Sequence, residues 1–136
     1  MPRMTADDID RFLAEHFPSA RGWATIEELT DDRARLRVRY DAQQLRPGGT
    51  LSGPTLMTLA DTAMYFLVLA NIGPVVLTVT SSLHINFLRR PAPKDLVAEA
   101  ELLKLGRRLA VGDVRIYSDG ERDPVAQATV TYAIPA

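Results

Sequence analysis

The sequence predicts an α+β domain in which an antiparallel sheet curls around one hydrophobic helix, and two observations carry that prediction. Between Gly53 and Gly73 the chain reads GPTLMTLADTAMYFLVLANIG, apolar on nearly every side, and a helix of that kind must be surrounded by protein. Extended segments punctuated by turn residues flank it, two before and four after.

The elements follow in order. Residues 5–17 form an amphipathic helix: Ile9, Phe12, Leu13 and Phe17 share one face, Thr5 suits the N-cap, and Pro18 ends it. Residues 23–29 are short and extended, and Thr30-Asp31-Asp32 is a turn. Over residues 33–40, Ala34, Leu36, Val38 and Tyr40 alternate with Arg33, Arg35, Arg37 and Arg39, the signature of a strand with one buried face. Its arginines read as a solvated outer face, since no aromatic side chains interleave them to stack on bases. Residues 41–52 are loop. The buried helix spans about 54–71, with Pro54 in the first turn, where a missing N–H costs nothing, and Gly73-Pro74 as its stop. Strands are expected at 75–88, 96–105, 109–117 and 125–134. No repeat or low-complexity tract interrupts the chain, which reads as one domain over 1–136.

Composition narrows the function classes. The 136 residues are enough for one buried core. A net charge of −1 gives no long-range pull towards nucleic acid or anionic lipid. The absence of cysteine removes thiol nucleophiles and cysteine-bound metals and agrees with a cytoplasmic location. The acidic N-terminus, MPRMTADDIDRF, fits neither a secretory signal nor a transit peptide. Residues 56–72 approach the length of a membrane span, but Asp61 near their middle would cost about 2.5–3.5 kcal/mol on insertion. A core helix accounts for the segment without that cost.

Asp61 is the only ionisable carboxylate in the apolar helix. A carboxylate is expensive to bury without partners. It could be satisfied by Thr58, Thr62 or a backbone donor and serve packing specificity alone, or it could act as a base or nucleophile, as carboxylates in apolar settings often do. Gly48-Gly49 and Ser52-Gly53-Pro54 bring free amides and the positive end of the helix dipole to the helix start, where they can polarise a carbonyl oxygen. Gly53 precedes Asp61 by eight residues, roughly 12 Å at 1.5 Å per residue, too far for both to engage one carbonyl in one subunit. The helix start of one subunit would have to meet Asp61 of another. Homo-oligomerisation would also cover the exposed sheet edge, as a dimer or as a tetramer built from two dimers.

The stretches RPGGTLSGPTLMTLADTA and TSSLHINFLRRPAP, with the helix and strands around them, resemble the PaaI-like branch of the hotdog acyl-CoA thioesterases from about residue 45 to the C-terminus. The resemblance implies hydrolysis of an acyl-CoA thioester, with coenzyme A entering only as part of the substrate and no separate cofactor. It also implies that Asp61 activates water or attacks the thioester, that the Gly53 amide holds the carbonyl oxygen, and that Thr80 holds the water. Ser52 stands where the family commonly has the histidine of His-Gly-Gly, and Arg46 lies near the usual position of an asparagine. Both are substrate-binding candidates. Met57 and Tyr65, with Met64 and Phe66, could line a pocket for an aromatic or an aliphatic acyl chain.

Other residues bear on function less specifically. Arg89, Arg90 and Lys94, with Arg107 and Arg108 at a later turn, read equally as a solvated rim or as a landing site for coenzyme A phosphates, which arginine forks suit. His16, in Glu-His-Phe-Pro, echoes the His-Phe-Pro of hotdog dehydratases but lies two strands too early. His84 reads as a packing or solvent-facing strand residue, and the two histidines have no metal-ligand spacing. A hotdog protein that binds an acyl or aromatic ligand without turnover is the alternative to the thioesterase, and a dehydratase is the third reading.

Overall fold

A computed structural model describes residues 2–40, the backbone of 45–46 and 50–51, and residues 53–136. Helix α1 (Ala6–His16) begins at a reciprocal cap. Thr5 Oγ1 accepts from the Asp8 amide at 3.2 Å while Asp8 Oδ2 accepts from the Thr5 amide at 2.9 Å. Ile9, Phe12 and Leu13 are its buried residues, and a 3-10 turn (Pro18–Ala20) follows it.

Strands β1 (Thr25–Leu29) and β2 (Arg33–Val38) form an antiparallel hairpin. Short strands β3 (Leu45–Arg46) and β4 (Thr50–Leu51) pair with each other inside the segment expected to be loop. Helix α2 (Gly53–Ile72) is followed by β5 (Val79–Phe87), β6 (Leu96–Leu105), β7 (Leu109–Ser118) and β8 (Ala126–Ala133). Six strands make one antiparallel sheet in the order β1-β2-β6-β7-β8-β5. Its concave face wraps α2, whose Leu59, Met64, Leu67, Val68 and Leu69 are completely buried. This is the hotdog arrangement expected from the sequence. The helix is long and apolar enough to cross a membrane, yet here the sheet supplies its apolar surroundings.

Gly112 decides how closely helix and sheet approach. A Cβ there would collide with Met64 Sδ and lie 3.1 Å from the Glu101 carbonyl oxygen. Only glycine lets the methionine lie flat against β7.

Strand β2 alternates as expected, with Ala34, Leu36 and Val38 buried. Tyr40 does not continue that face: it lies past the strand, 37% exposed, with its amide donating to Asp95 Oδ1 at 2.7 Å. On the outer face Arg35 and Arg37 bond Glu27 at 2.9 and 2.7 Å, and Arg37 also meets Asp95 at 3.3 Å and Asp119 at 3.1 Å. The arginine bonds hold the Glu27 and Asp119 carboxyls below their ordinary range and raise the guanidinium of Arg37. At Arg35 and Arg37 the basic stripe is thus a lattice of surface ion pairs.

Strand β5 starts four residues later than the run of apolar residues suggests. The ladder ends where Val79 pairs with Ala133, so β8 has no ladder partner left for residues 75–78. They turn instead: the Val75 amide bonds the Gly73 carbonyl at 2.8 Å and the Thr78 amide bonds the Val75 carbonyl at 3.3 Å. Gly73, with φ of +89°, supplies the left-handed step that ends the helix.

Candidate active site

Three elements converge on Asp61. Helix α2 carries it half-buried on the flank facing β5 and β8. Thr80, on β5, donates from Oγ1 to Asp61 Oδ1 at 2.7 Å. Tyr132, on β8 and 3% exposed, donates from its hydroxyl to the same Oδ1 at 2.7 Å and lies 3.1 Å from the Asp61 backbone oxygen. Among the described residues none donates to Oδ2. One carboxylate oxygen is therefore held by two hydroxyls while the other keeps its lone pairs.

An irregularity in β5 aims Thr80. Leu83, Ile85 and Phe87 face the helix side, opposite Val130, Ala128 and Ala126. Strict alternation back from Leu83 would turn Ser81 inward and Thr80 outward. The register instead skips a residue between Thr80 and Ser82, so that Thr80 stands opposite Tyr132 and Ser82 opposite Thr131. The bulge at Ser81 absorbs the extra residue and returns Thr80 to the inner face.

Tyr132 is fixed by its surroundings. Its ring stacks on Tyr65, centroids 5.7 Å apart and planes 21° apart, and Tyr65 in turn meets the edge of Phe17 at 6.4 Å. Burial, with the charge of Asp61 second, pushes the Tyr132 phenol far above its ordinary pKa. It therefore remains a neutral donor. Burial raises Tyr65 as well. An open groove of about 470 Å³ runs beside these rings, lined by Phe17, Tyr65, Leu77, Thr78, Thr80 and Tyr132 among others.

The remaining sequence-level candidates are distributed along the domain. Gly53 is the first residue of α2, and its Cα region lies against the ring of Phe87: a Cβ there would come within 3.3 Å of Phe87 Cζ. Strand β5 thus touches the helix start at its Phe87 end and Asp61 at its Thr80 end, and the two sites are not brought together within one chain. Met57, one turn before Asp61, is 42% exposed. Ser52 and the side chain of Arg46 lie outside the described residues. Thr58, considered as a partner for Asp61, bonds the Pro54 carbonyl at 2.9 Å instead. Arg89 bonds the Pro124 carbonyl at 3.0 Å and lies 3.7 Å from Asp123, Lys94 lies 3.9 Å from Glu121, and Arg90 is exposed just beyond β5. Among the described residues no acid pairs with Arg107 or Arg108. These two lie at the Thr80 end of the sheet, where the Arg108 carbonyl accepts from the Ile134 amide. His16 packs against Phe12, ring centroids 4.8 Å apart, and His84 is exposed on β5.

Tyr132 escaped the sequence reading. One signal was available: it alternates in phase with Ala128 and Val130, so its hydroxyl points inward, and a buried tyrosine hydroxyl usually has a partner.

Comparison with known proteins identifies the family and the fold. The model of the thioesterase superfamily matches residues 48–125, more than half of the chain. A candidate esterase of Saccharolobus solfataricus is 30% identical over 109 residues, covering 80% of this chain and 71% of that protein. The crystal structure of a candidate thioesterase from Silicibacter sp. TM1040 superposes with a TM-score of 0.91 at 42% identity, covering 100% of this chain and 95% of the other. The phenylacetic acid degradation protein PaaI of Thermus thermophilus, solved as a mutant, shares the fold with a TM-score of 0.72 at 23% identity, over 92% of this chain and 99% of that one. The chain belongs to the thioesterase superfamily, and its fold is that of the PaaI-like hotdog thioesterases.

Proposed function

We propose that this protein hydrolyses acyl-CoA thioesters, with Asp61 as general base or nucleophile in a site shared between two subunits. The observation that carries the reading is the asymmetry of Asp61. Oδ1 is held by Thr80 and Tyr132 and Oδ2 has no donor among the described residues, beside a groove lined by aromatic and aliphatic side chains. As a base, Oδ2 takes a proton from water while the water oxygen attacks the thioester carbon. The tetrahedral intermediate then collapses, the C–S bond breaks, and the coenzyme A sulfur takes the proton from Asp61 and leaves as the thiol, which restores the carboxylate. The Thr80 oxygen, its proton given to Asp61, can still accept from that water.

The oxyanion also needs a donor, and the edge of the sheet suggests its source. Strand β5 is an edge strand whose sequence, VTSSLHINF, has no lysine, acid or proline to discourage pairing. Antiparallel pairing of two β5 strands about a twofold axis at His84 would, with the bulged residue at Ser81 skipped, set Thr80 opposite Phe87 of the partner subunit. Since Gly53 lies on Phe87, its amide would enter the neighbouring Asp61 site, as electrostatic stabilisation of the oxyanion requires. The same pairing would bring the partner's Arg89 and Arg90 towards Arg107 and Arg108, forming a basic rim for coenzyme A phosphates. The reaction is proposed to run in the cytoplasm on protein groups and water alone.

The test is thiol release from a panel of aryl- and alkyl-CoA thioesters, with wild type and Asp61→Asn side by side. The expected result is hydrolysis by wild type and a loss of about 100-fold or more in the variant, with the melting temperature kept. Full activity in the variant would refute the assignment. A folded wild type inert across the panel would favour a protein that binds an acyl or aromatic ligand without turnover.

A further inference from the structure

We infer that Tyr132 is a positioning residue that, together with Thr80, selects Oδ2 as the reacting oxygen of Asp61. The inference rests on the proposed role of Asp61 and adds a residue and a division of labour within its carboxylate.

A carboxylate on a helix can rotate about χ2 and exchange its two oxygens, since that torsion is broad. Two hydroxyls arriving from different strands oppose the exchange. Thr80 and Tyr132 are direct partners in the β5–β8 ladder, and each ends 2.7 Å from Oδ1. A flip would have to break both bonds at once and present Oδ2 to the same pair. The tyrosine is well suited to the task. Its ring is clamped by the Tyr65 stack, its hydroxyl cannot leave without unpacking β8 from α2, and it stays protonated because burial and the neighbouring carboxylate disfavour the phenolate. Thr80, exposed at the groove, is the member that can also meet water, whereas Tyr132 acts through Asp61 alone.

Tyr132→Phe removes the hydroxyl and keeps the stacked ring, so the fold is expected to survive. The measurement is kcat and KM on a hydrolysed acyl-CoA for Tyr132→Phe, Thr80→Val and the double variant, with melting temperatures alongside. A mispositioned reacting group costs about 10- to 100-fold, and that loss is expected in kcat, with KM changed by less than about twofold because uniform binding is untouched. Both substitutions free the same oxygen, so the double variant is expected to fall close to the worse single one. Losses that multiply would mean two independent roles, and an unchanged kcat or an effect confined to KM would overturn the assignment.

A proton NMR measurement separates this inference from the hydrolase reading. A slowly exchanging hydroxyl resonance should be present in wild type and absent from both Tyr132→Phe and Asp61→Ala. If that resonance is present and Asp61→Asn remains active, the role of Asp61 fails. If Asp61→Asn is inactive but Tyr132→Phe keeps full kcat, only the positioning role fails.

Discussion

Thr80 stands opposite Tyr132 across the β5–β8 ladder, and both hydroxyls end on one oxygen of a carboxylate carried by a third element. Residues 52 positions apart in the chain thereby act as one clamp, because a cross-strand pair shares a face of the sheet. The arrangement depends on a bulge, and that dependence can be tested.

Removing one of Ser81 and Ser82 deletes the bulged residue and leaves Thr80 opposite Tyr132 in a regular ladder. Deletion inside a strand usually turns every side chain beyond it to the other face. Here the shortened protein is expected to keep Thr80 inward, with a melting temperature near that of wild type and the Thr80–Asp61 bond intact. Loss of folding on thermal denaturation would show that the extra residue is needed for more than register.

Gly112 should be intolerant of even a methyl group. Overpacking against Met64 and the Glu101 carbonyl is expected to cost about 1–3 kcal/mol in Gly112→Ala. Combining it with Met64→Ala should cost less than the sum of the single effects, since the cavity left by one substitution receives the methyl of the other. Urea denaturation of the four proteins measures both terms, and strict additivity would rule out this contact as the cause.

The ion-pair lattice on the outer face sets an acid response. Glu27 and Asp119 have folded pKa values depressed below their ordinary 4.5 and 3.8, chiefly by hydrogen bonds from Arg37. A depressed acid stabilises the fold above its ordinary pKa and loses that contribution as pH falls through the folded value. The melting temperature of wild type should therefore decline below about pH 4.5. Arg37→Met should lower it at neutral pH and flatten that decline. Parallel curves for the two proteins would exclude Arg37 as the source.

Much of the architecture is local in origin and could be read directly. The reciprocal cap at Thr5 and Asp8, the alternation over Arg33–Val38 and the all-round apolar helix each follow from neighbours a few residues apart. Asp61 declares itself for the same reason: a lone acid among apolar residues is conspicuous wherever the chain goes. The late start of β5 was not legible, because Val75, Val76 and Leu77 have strand-like composition and only the end of the β8 ladder denies them a partner.

The sequence by itself determined a helix that had to be wrapped, strands able to wrap it, and a carboxylate that needed partners. Tertiary structure alone decided what those partners are. Tyr132 reaches Asp61 across 71 positions because β8 lies beside β5, and Thr80 faces inward because one residue bulges out of the ladder. Pairing between distant strands and a phase shift within one of them leave no periodic trace in the chain, since both are set by which backbone groups find each other when the sheet closes around the helix.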